Sequence, residues 1–161
     1  MENQLLGIKA SISAIFAALG AFLGWKGIIA VVWVVAMALD YISGTAAACR
    51  AHEWSSQTAR DGLWHKGGMI LVVIVAAIGD GVMAMICTNI PALEFDWPGL
   101  ILPLVLAWYI ITEFGSILEN AVKMGAAVPS WLVKLLKISL TAVNKAGKTA
   151  TAGTDKTSED N

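Results

Sequence analysis

The sequence is poor in charge. Only 14% of its 161 residues are Asp, Glu, Lys or Arg, against 57% hydrophobic, and the mean hydropathy is +0.70. That balance excludes an ordinary soluble globular domain and specifies an integral membrane protein. The formal net charge is −1, so no basic excess is on offer to a nucleic acid, and charges matter by position instead of by sum. The only cysteines, Cys49 and Cys87, fall at ends of successive apolar runs that lie on opposite sides of a membrane, which excludes an intrachain disulfide. His52 and His65 sit in a polar stretch without local metal-ligand spacing and are expected at the surface, so no metal or other cofactor is expected.

What is present is a set of apolar runs. Four of them, 7–25, 28–49, 67–87 and 99–119, each approach the ~20 residues that a helix needs to cross a hydrocarbon core. The first carries Lys9 near its start but is followed by Leu23, Gly24, Trp25 and Lys26 without a small-x-small cleavage pattern, so it is expected to be retained as a span. The fold expected is therefore all-α: a four-span domain over 1–129, a cationic amphipathic helix over 130–148 and a disordered polar tail over 149–161. No internal repeat is present.

Orientation follows from the cations. Arg50, Arg60 and Lys66 lie between runs two and three, and Lys123, Lys134, Lys137, Lys145, Lys148 and Lys156 follow run four; both groups are expected on the cytoplasmic side, with both termini. The segment TNIPALEFDWP has Glu94 and Asp96 but no cation, and is expected outside. Trp25 and Trp97 mark the outer boundary and Trp54 and Trp64 the inner one, while Trp33 and Trp108 lie inside runs and pack between helices or face lipid. Beyond Pro129, Lys134, Lys137, Thr141, Asn144, Lys145 and Lys148 recur every three or four residues beside Trp131, Leu132, Leu135, Leu136, Ile138 and Leu140. This helix is suited to an anionic membrane surface, or to packing on a partner.

Acids interrupt the runs. Asp40, Asp80 and Glu113 lie within them and Glu119 near the end of the fourth, where each charge costs at least ~2.5 kcal/mol and must meet protein, water or a partner, or be protonated. Counted from the inner boundary, Glu113, Asp40 and Asp80 stand roughly 9, 13 and 20 Å deep, a ladder without matching cations. Ala36, Asp40, Gly44 and Ala48 recur at steps of four, Ala76, Asp80 and Ala84 repeat the pattern, and Gly20 and Gly24 form a GxxxG pair. Such small-residue faces permit close helix contact, within one chain or between copies. Tyr109, Glu113, Ser116 and Asn120 share a polar face of run four. Two such acids are also the raw material of an intramembrane aspartyl protease, but AIGD at 77–80 lacks the first glycine of GxGD, and no catalytic set is expected.

Three stretches, DYISG at 40–44, SSQTARDGLWHK at 55–66 and TEFGSILENAVKMGAAVPSWL at 112–132, together resemble the phage-lysis and toxin-secretion holin family. The resemblance implies Asp40, Gly44, Ser55, Ser56, Gly62, Lys66, Glu113, Ser116, Glu119, Asn120, Gly125 and Pro129 as pattern positions, with Gly115 a departure from the residue that members often carry. It also implies a homo-oligomer in the bacterial cytoplasmic membrane that opens lesions for an endolysin or a secreted cargo protein. An antiholin regulator, or a small ion channel or transporter subunit, would use the same sequence features.

Overall fold

A computed structural model describes residues 2–90 and 96–155, with side chains over 24–90 and 96–150. The order is α1 (Glu2–Arg50), α2 (Ser56–Asn89), α3 (Ile101–Lys123) and α4 (Ser130–Asp155). All regular structure among the described residues is helical, and three helical segments are long and apolar enough to cross a membrane: Gly24–Arg50, Ser56–Asn89 and Ile101–Lys123. Residues 7–23 of the expected first span, Gly20 among them, lie outside the residues whose side chains are described.

Gly24 marks a break in the first helix. Its φ of 65° and ψ of −179° interrupt α1, a backbone conformation that glycine tolerates and a Cβ would strain. The helix is broken at this one residue, close to the boundary between the runs 7–25 and 28–49. At the other end of α1, Glu53 N–H donates to Ala48 O at 3.0 Å and His52 N–H to Cys49 O at 3.2 Å, with His52 left-handed at φ 58°. This Schellman closure ends α1 without a glycine, histidine being among the residues that enter this region more readily than most.

The expected loop to Lys66 is largely helix. Ser55 is the N-cap of α2, its Oγ accepting from Thr58 N at 3.1 Å, so α2 starts ten residues before Lys66. At 34 residues it is about 51 Å long, well beyond a ~30 Å hydrocarbon core. Hydropathy sees only the apolar part of such a helix and misses the polar turns that extend it. Likewise α4 continues past Lys148, where the sequence-based boundary falls, to Asp155.

The third helix occupies the middle. It packs against α1, α2 and α4, whereas α1 and α2 scarcely touch each other. The core is Trp33 and Met37 of α1, Met69 of α2 and Leu106 of α3, with Trp33 stacked on Tyr109 at 6.0 Å between centroids. Trp33 thus packs between helices, while Trp108 is partly exposed and meets Tyr109 edge-on. Pro103 is accommodated because it lies in the first turn of α3, where no intrahelical amide bond is required. Leu71, Val75, Ile78 and Met85 of α2 face outward, as suits a helix whose surroundings are lipid tails.

Candidate functional site

Helical spacing brings one face of each span inward. On α1 this is Trp33, Ala36, Met37, Asp40, Gly44 and Ala47; on α2 it is Gly62, Lys66, Met69, Val73, Ala76 and Asp80, at steps of three and four. The third helix contributes Leu106, Glu113 and Asn120. Ala48 is only half-buried and Ala84 is exposed, so each small-acid-small face is tight at one end and open at the other.

Where these faces meet, the expected ladder of unmatched acids gains its cation. Lys66 Nζ donates to Asp40 Oδ2 at 2.9 Å and to Glu113 Oε1 and Oε2 at 3.1 and 2.8 Å. Side-chain exposure is 12% for Lys66, 21% for Asp40 and 5% for Glu113. Asn120 Nδ2 donates to Asp40 Oδ1 and to Ser43 Oγ, both at 3.1 Å. The bridge thus ties together α1, α2 and α3, and in its ionised form keeps one surplus negative charge. Lys66 is among the family-pattern positions, but its role as counter-ion escapes a sequence reading because it stands at the edge of an apolar run, where a lysine ordinarily serves topology. Its helical register with Met69, Val73, Ala76 and Asp80 was the available signal.

Gly44 sits under Asn120. A Cβ there would stand 3.4 Å from Asn120 Nδ2, ordinary contact for alanine but no room for a larger group. Gly44→Leu is expected to displace Asn120 from Asp40 and to cost about 1–3 kcal/mol by overpacking, while Gly44→Ala stays near wild type. Thermal melts of the two purified variants in detergent test this, and a Leu variant as stable as wild type would refute it.

Beside the bridge lies a cavity of about 930 Å³ lined by Asp40, Gly62, Lys66, Glu113, Ser116 and Asn120 among others. It occupies the seam where α1 and α2 diverge. Its walls combine carboxylates, an ammonium, amide and hydroxyl groups with aromatic rings, a surface able to hold water inside an apolar envelope.

Asp80 belongs to a separate site. Its Oδ1 accepts from Trp97 Nε1 at 2.9 Å and Ile101 N at 3.0 Å, and its Oδ2 from Leu102 N at 3.0 Å. The residue at the N-cap of α3, Leu100, offers no side-chain hydrogen bond, so Asp80 caps α3 from across the hairpin, a carboxylate at the positive end of the helix. Gly99, at φ 68°, holds a left-handed conformation that would strain any side chain, and a Cβ there would also have to displace the movable end of Lys26. Asp40 and Asp80, bonded to different elements, do not form a carboxylate dyad.

Other pattern positions serve the backbone. Gly125, at φ 94°, is the left-handed residue of the Schellman closure of α3, with Ala126 N–H donating to Ala121 O at 2.9 Å and Gly125 N–H to Val122 O at 2.8 Å. Ser56 opens α2 and is exposed, Glu119 is exposed on α3, and Pro129 directly precedes α4. On α4, Trp131, Lys134, Lys137 and Lys145 are exposed, while Leu136 and Leu140 turn toward α3 and Leu132 is half-buried.

These features define a helical membrane protein with a three-helix ion bridge at its centre. The model of the bacteriophage holin family matches residues 17–140, and the chain belongs to that family. Similar proteins include an uncharacterized 14.9 kDa protein from the nagH 3' region of Clostridium perfringens, 28% identical over 85% of this chain and 96% of that one. An uncharacterized protein of Listeria innocua is 30% identical over 81% of this chain and 85% of its own length. No solved structure matches.

Proposed function

We propose that the protein oligomerises in the bacterial cytoplasmic membrane and forms lesions through which an endolysin, or a secreted cargo protein, leaves the cell. Family membership supports this, and so does one feature of the geometry: a largely apolar cavity with the ion bridge in its wall lies along the seam between two spans that hardly contact each other. Rotation of α1 or α2 away from that seam would present Asp40, Lys66 and Glu113 to water and to neighbouring copies. Rehydration of the carboxylates then favours the open assembly. Asp80, whose carboxylate caps α3, is better suited to hold α2 and α3 together as the seam opens.

Four crossings with both termini cytoplasmic fit this reading, the segment before Gly24 being the first and the lysines of α4 lying at the inner leaflet. The reading requires no catalytic residues. Induced expression in a bacterium with and without an endolysin tests it, with viability, membrane potential and culture density recorded together. Potential and viability should collapse abruptly in both strains, and lysis should follow only where endolysin is present. Ion-selective depolarisation with endolysin retained would overturn it in favour of a channel, and delayed lysis by a co-expressed holin would mark an antiholin.

A further inference from the structure

A second cavity, of about 510 Å³, runs between α3 and α4 and plays no part in the ion bridge. Its volume is in the range of ligand-holding pockets. Ile111, Leu118, Val122, Leu136 and Leu140 make its walls apolar, and a Cβ built on Gly115 would meet nothing within 4 Å, so α3 is bare at that point of the floor. The charged lining residues are Lys123, which ends α3, Lys137 of α4 and the acid Glu119. Their sum is one positive charge beside an apolar slot.

We propose that this groove binds one anionic phospholipid, an acyl chain lying over Gly115 and the headgroup phosphate held by Lys123 and Lys137. A groove opening from a membrane span cannot stay empty without forfeiting dispersion contacts along its walls, and the chains of the bilayer are the material at hand to fill it. The charge balance at the groove selects among headgroups. A phosphate with no compensating cation is attracted by the two ammonium groups and finds only Glu119 opposed, whereas a zwitterionic headgroup brings its own cation to compete. The site rests on insertion into a membrane and not on lesion formation, so it can fail while the lesion reading stands.

The test is native mass spectrometry of the purified full-length protein released from nanodiscs containing equal amounts of phosphatidylglycerol and phosphatidylcholine with the same chains. The wild type should retain one phosphatidylglycerol at least about five-fold more often than phosphatidylcholine. K123Q/K137Q should remove that preference, and G115L, which fills the slot, should lower retention of both lipids. K134Q/K145Q loses the same charge from exposed positions of α4 that meet the membrane surface but do not line the groove, and should lower the preference clearly less than K123Q/K137Q does. Circular dichroism checks that each variant is folded, and the charge variants decide the matter if G115L is not. Equal retention of the two lipids by wild type, or a K134Q/K145Q effect as large as that of K123Q/K137Q, would overturn the site.

Discussion

Replacing Lys66 by methionine is expected to destabilise the folded chain by about 3–5 kcal/mol, the usual consequence of removing one member of a buried ion pair. The size of the effect follows from what is left behind. Asp40 and Glu113 both bond to Lys66 Nζ, so without it two carboxylates face one another in a site sheltered from water, and either repulsion or a forced protonation takes the place of attraction. Since α1 and α2 have few other contacts, the loss falls mainly on the seam between them. The variant should accumulate poorly in the membrane or lose potential prematurely. Its neutral counterpart, Lys66→Met combined with Asp40→Asn and Glu113→Gln, should recover much of the stability, because no unpaired charge then remains. Thermal melts in detergent with immunoblots of membrane fractions measure both, and a single variant as stable as wild type would show that the bridge holds nothing together.

Asp40→Asn separates resting stability from opening. It keeps an acceptor for Lys66 while removing the surplus negative charge, so the bundle should persist but gain less when water enters.

The sequence made the acids conspicuous but not their arrangement. Asp40, Asp80 and Glu113 stand out because a carboxylate in an apolar run has an insertion cost that composition alone reveals. The small residues at Ala36 and Gly44 are legible for a similar reason, since only close approach of another helix gives them a use. The resemblance named Lys66 and Ser55 without their roles: the counter-ion was hidden by its place at the end of a run, and the cap by the impossibility of telling a loop serine from an N-cap until the following turn is seen to be helical. Three of the four runs read from hydropathy lie close to apolar helical segments, yet hydropathy missed the polar turns that lengthen α2, because a helix outside the bilayer need not be apolar. The cap on α3 could not be read at all, as it depends on a hairpin that brings residue 80 to residues 101 and 102.

That cap carries the second large effect. Asp80→Ala is expected to cost about 3–5 kcal/mol, since the indole N–H of Trp97 and the amides of Ile101 and Leu102 lose their acceptor together and each donor left unpaired out of water costs about 1–3 kcal/mol. Asp80→Asn should be much milder, about 1–2 kcal/mol, because its carbonyl oxygen replaces Oδ1 for Trp97 and Ile101 while its amide can only donate toward Leu102. The ordering separates a cap from an acid that acts by ionising. A structural cap predicts that stability falls in the order wild type, Asn, Ala, and that lysis timing follows accumulation in the membrane. A carboxylate needed for its charge predicts instead that Asn, though folded and abundant, fails as completely as Ala. Melting temperatures in detergent give the first ordering, and immunoblots paired with time to loss of membrane potential give the second. An Asn variant with wild-type stability and abundance but no triggering would place Asp80 in the opening step and remove it from the fixed α2–α3 hairpin.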